Sequence, residues 1–175
     1  MIKKINKKKG ILFWITGLSG SGKTVVSRKI YKEIKKRYGK TFYINGDDLR
    51  KIFKFNGYSY KERVKIGSMY VKLFKKITDQ NINVLFAGAV LIEKVRKWNR
   101  KNIDNYFEIF IKTDIKKIIK KNIKKLYQKK INVYGIDIKT DFPKKPNIIL
   151  NNDFTKNVDE LANELILKIE KKICK

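Results

Sequence analysis

Eight consecutive residues, Gly17-Leu18-Ser19-Gly20-Ser21-Gly22-Lys23-Thr24, carry the spacing G-x-x-x-x-G-K-[ST]. That spacing builds a loop whose backbone N–H groups turn inward on phosphate oxygens. Gly17, Gly20 and Gly22 supply the conformational freedom such a loop needs. Ser19 and Ser21 add short polar side chains to it, and Lys23 is predicted to reach the β- and γ-phosphates of ATP. The Thr24 hydroxyl is placed to hold Mg²⁺. A chance glycine turn is the alternative. It is disfavoured by context, because the apolar run Ile11–Ile15 precedes the loop and a helix-like stretch from Val25 to Tyr38 follows it. Strand, glycine loop and helix in that order bring the positive end of a helix to the same phosphates.

A second group of chemical residues lies at Asn45-Gly46-Asp47-Asp48-Leu49-Arg50. The chain contains no histidine, so a carboxylate is the natural general base. Asp47 can take a proton from an attacking hydroxyl or hold Mg²⁺ through water. Arg50 follows three residues later, on the same face of a helix starting at Asp47, where it can grip an anionic group. The bland reading makes Asp47 an ordinary helix N-cap and Arg50 a solvated charge; position beside a phosphate loop favours the functional one. Asp48 reads as a helix-start charge. Further on, Asn56–Arg63 offers Tyr58 to stack on a base and Arg63 to bind a phosphate or sulfate. The alternative there is a loop whose aromatics cover the core.

The elements that must position these groups alternate between short β-type runs and longer helical ones. Strands are predicted at Ile11–Thr16, Thr41–Asn45, Ile82–Phe86, Tyr106–Ile111 and Asn147–Leu150. Helices are predicted at Lys23–Tyr38, Tyr60–Asn81, Leu91–Lys101, Asp114–Lys121 and Thr155–Lys172. Apolar stripes are expected at Val26, Ile30 and Ile34, at Val64, Met69, Leu73 and Ile77, and at Leu161, Leu165 and Ile169. This alternation implies an α/β fold: a mainly parallel five-stranded sheet with helices on both faces. Ligands of such sheets collect at the carboxyl ends of the strands. The third strand end then presents Ala87-Gly88-Ala89, and a later loop presents Gly135-Ile136-Asp137.

With 175 residues and 42% hydrophobic content, one globular domain is expected. No uninterrupted apolar run approaches about 18 residues, so no membrane span is expected. The basic segment Met1–Lys9 does not read as a signal peptide. The single cysteine, Cys174, excludes an internal disulfide framework, and a reducing cytoplasm is the natural setting. The net charge of +28 raises nucleic-acid binding as a possible role. Lysines are spread over nearly every segment, which reads instead as a solvated surface that draws anionic ligands inward at low salt. Arginine is rare by contrast, with six in the chain. A position that keeps arginine in so lysine-rich a chain suggests a need for its planar fork, and this singles out Arg50 and Arg63.

Taken together, Phe13–Thr24, Asn45–Arg50, Gly57-Tyr58-Ser59, Phe107–Ile111, Gly135-Ile136-Asp137 and Pro146-Asn147 resemble the adenylylsulfate (APS) kinases in order and over nearly the whole chain. The resemblance implies a P-loop kinase fold, with residues 1–175 as one domain and a flexible lid over about 122–146. It implies phosphorylation of the 3′-hydroxyl of a ribonucleotide by Mg-ATP, and a homodimer. It puts the phosphate loop at Gly17–Thr24, the catalytic acid at Asp47, acceptor contacts at Arg50, Tyr58 and Arg63, and a lid lysine that contacts ATP at Lys124. Gly88 and Ile136 complete the expected acceptor contacts. The chain departs from the family mainly on the acceptor side. Phe86-Ala87-Gly88-Ala89-Val90 replaces Ile-Ser-Pro-Tyr/Phe, the helix after Arg63 lacks the expected Asn and Arg, and the lid is short. The short lid resembles that of a capsule-pathway branch of the family that includes a kinase of cytidine diphosphoramidate, so the acceptor is expected to be either adenylyl sulfate or that compound. A nucleic-acid-binding protein and an inactive kinase-like subunit are the remaining alternatives. Acidic residues interrupting the basic stretches argue against the first, and the intact Gly22-Lys23-Thr24 and Asp47 argue against the second.

Overall fold

The computed structural model describes residues 5–121, 134–136, 138 and 140–173. Five strands, β1 (Ile11–Gly17), β2 (Thr41–Asn45), β3 (Asn83–Gly88), β4 (Asn105–Lys112) and β5 (Ile148–Asn151), form one parallel sheet in the order β2-β3-β1-β4-β5. Among the described residues six helices lie between and after them: α1 (Lys23–Tyr38), α2 (Gly46–Ile52), α3 (Tyr60–Asp79), α4 (Glu93–Asn102), α5 (Ile115–Lys120) and α6 (Val158–Ile173). The predicted fold class is the observed one, and strand limits agree to within about two residues, the usual fraying of element ends.

Both faces of the sheet are covered, which is why every residue of β1 is buried. Alternation along the strand sends Leu12 and Trp14 to one face and Phe13 and Ile15 to the other. The first face packs on α3 and α4, with Phe74 and Phe86 against the Trp14 ring. The second packs on α1 through Val26, Ile30 and Ile34, and on α6 through Leu161, Leu165 and Ile169, as the sequence stripes predict.

The stripe predicted for α3 is corrected. Met69 and Leu73 are exposed, and the face on the sheet carries Ile66, Tyr70 and Phe74 beside Gly67 and Val71. The four-residue apolar spacing occurs on both sides of this helix, and the aromatic side wins because its rings fill the space over Trp14 and Phe86.

Because every strand is parallel, their carboxyl ends share one edge of the sheet. β1 lies centrally, and the chain leaves it toward β2 on one side and later crosses it to β4 on the other. The phosphate loop at the end of β1 therefore sits at the switch point of the topology.

Candidate active site

The phosphate loop runs from Gly17 into α1, whose first residue is Lys23. Gly17, Gly20 and Gly22 all have positive φ, at 157°, 80° and 91°. A Cβ on Gly17 would stand 2.5 Å from the Ile111 carbonyl oxygen, and one on Gly22 would stand 2.9 Å from Asn152 Nδ2. The loop is thus held between β4 and the end of β5, with no room for larger side chains. Asn152 Nδ2 donates to the Ser21 carbonyl at 3.1 Å. Lys23 is buried, and its Nζ donates to the Leu18 carbonyl at 2.5 Å, so the ammonium lies along the loop. The Ser21 hydroxyl is buried without a hydrogen-bond partner among the described residues. A buried polar atom left open inside a glycine cradle, next to a lysine, fits the oxygens of a polyphosphate.

Asp47 reaches the site through α2. Asn45 caps that helix, its side-chain oxygen accepting from the Asp47 and Asp48 N–H groups at 3.0 Å each. The cap is therefore Asn45 and not Asp47, and Asp47 is among the residues that line the cavities at this edge. Asp48 folds back on the cap, where Asn45 Nδ2 donates to its carboxylate.

Two cavities open along this edge. One, of about 360 Å³, is lined by Ser19, Gly22, Lys23, Thr24, Lys121 and Asn152, with Val25, Phe154 and Val158 as its apolar part. The other, of about 140 Å³, is lined by Arg50, Tyr58, Arg63, Tyr70, Val90 and Tyr134. Ser19, Gly46, Asp47, Gly88 and Ala89 line both. The partition between them is backbone in part: a Cβ on Gly46 would lie 3.5 Å from Gly88 Cα. Two chambers meeting at one carboxylate suit a group transfer between two bound molecules.

The second cavity is built from arginines laid on tyrosine rings. The Arg50 guanidinium carbon is 4.3 Å from the centre of the Tyr58 ring, and that of Arg63 is 4.4 Å from the Tyr134 ring. Arg50 also donates to the Gly57 carbonyl at 2.8 Å, and Arg63 Nε to the Tyr58 carbonyl at 2.7 Å. Ser59 and Glu62 close a capping box at the start of α3, which fixes the Tyr58 loop to the helix that carries Arg63. Burial lowers the pKa of Arg63, partly offset by the neighbouring Tyr134. Burial also raises the pKa of Tyr134, against the pull of Arg63. Tyr70 is pushed up to about 12, mainly by burial, so its hydroxyl stays neutral.

The structure thus brings together the sequence-predicted Ser19, Gly20, Gly22, Lys23, Thr24, Asp47 and Gly88 around the first cavity, and Arg50, Tyr58 and Arg63 around the second. Gly17 and Ser21 lie within the loop itself. Ile136 is exposed and lines neither cavity. Lys124, Asp137 and Cys174 lie outside the described residues, as do 122–133 of the expected lid. Sequence reasoning missed Asn152, Phe154 and Tyr70. The only signal for Asn152 was its place just past the last apolar run.

The family model described as adenylylsulphate kinase matches residues 9–151. The chain is 33% identical over 167 residues to the cytidine diphosphoramidate kinase of Campylobacter jejuni, covering 93% of this chain and 97% of that protein. It is 28% identical over 155 residues to the adenylyl-sulfate kinase of Pseudomonas aeruginosa, covering 84% and 79%. The Mycobacterium tuberculosis APS kinase, solved in complex with AMPPNP and APS, has the same fold with a TM-score of 0.80 at 26% identity, covering 93% of this chain and 98% of that one.

Proposed function

The chain belongs to the adenylylsulphate kinase family, and from that premise we propose that it transfers the γ-phosphate of ATP to the 3′-hydroxyl of a ribonucleotide. The observation that carries this reading is the pair of cavities that meet at Asp47. ATP is assigned to the larger one. Its triphosphate faces the loop, where Lys23 and the backbone N–H groups steady the charge of the migrating group. Val25, Phe154 and Val158 offer an apolar surface to its base.

The acceptor is assigned to the smaller cavity, with Arg50 and Arg63 on its anionic part and Tyr58 against its flat part. Asp47, at the junction, orients or deprotonates the attacking hydroxyl. Among the described residues no cluster of His, Cys, Asp or Glu can hold a metal alone. The Thr24 hydroxyl and Asp47 are the ligands this chain offers to Mg²⁺, which when bound neutralises charge between the phosphates. Lys124 and a lid over about 122–146 belong to the same reading, as groups that close over ATP and exclude water.

Two acceptors follow from the relatives, cytidine diphosphoramidate and adenylyl sulfate. The 33% identity to the Campylobacter jejuni kinase, over nearly the full length of both chains, supports testing the cytidine compound beside adenylyl sulfate. The experiment is an ATP-consumption assay with each acceptor separately, with the product mass checked for one added phosphate on the acceptor. Product from neither acceptor would overturn the reading.

Assembly as a homodimer is part of the proposal, and light-scattering mass tests it. A cytoplasmic setting is also proposed. Among the described residues no helix is long and apolar enough to cross a membrane.

A further inference from the structure

Tyr70 holds a hydroxyl that the fold does not use. Its ring is locked in the core, with centroids 6.0 Å from Phe86, 6.3 Å from Phe55 and 6.4 Å from Phe74. A phenylalanine would make the same ring contacts. The residue is 3% exposed, and its hydroxyl has no hydrogen-bond partner among the described residues. A buried hydroxyl in that state weakens the ligand-free protein, so it calls for a reason.

The reason lies on the cavity side. Tyr70 lines the smaller cavity from α3, as does Gly67, and Arg50 and Tyr58 line the same cavity. It does not line the larger cavity, and it shares the smaller one with Asp47. Whatever its hydroxyl touches therefore belongs to the acceptor. The hydroxyl is neutral, while Arg50 and Arg63 already supply cations for an anionic end. Its natural complement is an uncharged polar edge that both accepts and donates hydrogen bonds, which is what a nucleobase presents.

We propose that Tyr70 is a specificity-determining residue whose hydroxyl hydrogen-bonds the nucleobase edge of the acceptor. The inference rests on the proposed kinase reading and deepens it. Binding satisfies the hydroxyl, whereas an acceptor whose base lacks a partner at that point leaves it buried and unpaired, and is rejected for that reason.

The test is Tyr70→Phe, assayed with cytidine diphosphoramidate and with adenylyl sulfate. The expected result is a rise in KM of about 2- to 10-fold for the preferred acceptor, as one neutral hydrogen bond is worth. The change in kcat should be small, because the contact is equal in ground and transition states. The preference between the two acceptors should narrow. The melting temperature of the ligand-free variant should be equal to or higher than that of the wild type. An unchanged acceptor KM overturns the proposal, and so does a fall of several degrees in that melting temperature, which would mean that the hydroxyl serves the fold. If the wild type phosphorylates neither compound, the kinase reading fails on its own. The Tyr70 contact is then judged by the thermal shift each nucleotide gives with wild type and variant, and equal shifts overturn it.

Discussion

Asn152, just past the end of β5, donates its side-chain N–H to the carbonyl of Ser21 at 3.1 Å, across 131 residues of sequence. The Oδ1 of the same Asn152 side chain accepts from the Phe154 N–H at 3.0 Å. One buried side chain thus ties the phosphate loop to the turn that carries Phe154, so the two parts of the larger cavity are set relative to one another by Asn152.

Asn152→Ala should raise the KM for ATP several-fold while leaving the acceptor KM nearly unchanged. It should also lower stability by about 1–3 kcal/mol, since the Ser21 carbonyl and the Phe154 N–H lose their partner. Steady-state kinetics with each substrate varied in turn, and urea denaturation, check both parts.

Asp47 lines both cavities, and Asn45 rather than Asp47 caps its helix. Asp47→Asn should therefore leave the melting temperature close to that of the wild type and lower kcat by about 10²-fold or more. A variant with normal turnover would remove Asp47 from proton transfer. Lys23→Ala should abolish transfer, and an active Lys23→Ala protein would mean that the loop does not grip ATP as proposed.

Gly88 stands at the junction of the cavities with the Phe86 ring behind it. A Cβ there would meet Phe86 Cζ at 2.3 Å, which forces the ring or the strand to move. Gly88→Ala should destabilise the protein by about 1–3 kcal/mol through overpacking. It should also reduce turnover, since Phe86 packs at a tilt against Trp14 of β1, the strand that leads into the phosphate loop. Thermal denaturation and kcat measure the two effects.

Behind the site, Arg96 is fully buried. Its Nη2 donates to Glu93 at 2.7 Å and to the Asp141 carbonyl at 2.6 Å, and its Nε is ion-paired to Glu108 at 3.1 Å without hydrogen-bond alignment. Arg100 meets the other Glu108 oxygen at 2.8 Å. Burial raises the pKa of Glu108, and Arg100 and Arg96 oppose that rise. Arg96→Met should cost about 3–5 kcal/mol, because it leaves a buried carboxylate short of a partner. Adding Glu108→Leu should recover part of the loss. Urea denaturation of the single and double variants reads the difference.

The sheet and α1 were legible because β1 and its helix carry strong periodic signals that tertiary packing reinforces. Asp47 and Arg50 were legible because they follow Gly46 at the end of β2, where an α/β sheet collects its ligands. α3 misled because both of its sides carry apolar residues at helical spacing, so periodicity alone could not choose between Met69 and Tyr70. Asn152 was invisible for a different reason: its partner is Ser21, and no local pattern records a contact so distant in sequence. Rarity of arginine singled out Arg50 and Arg63 usefully, but the same argument applied to Arg96 and Arg100. Their spacing after Glu93, together with a lone Glu108 inside an apolar strand, was the available signal for the buried network.

The glycine seam where Gly46 faces Gly88 has a consequence for how this enzyme can be altered. Nothing bulky bridges the two chambers there, so remodelling Tyr58, Tyr70 or Tyr134 need not disturb the grip on the phosphate donor. On the proposed reading, nucleoside choice becomes an adjustable property of one wall, and the chain a practical starting scaffold for installing phosphate on other ribonucleotides.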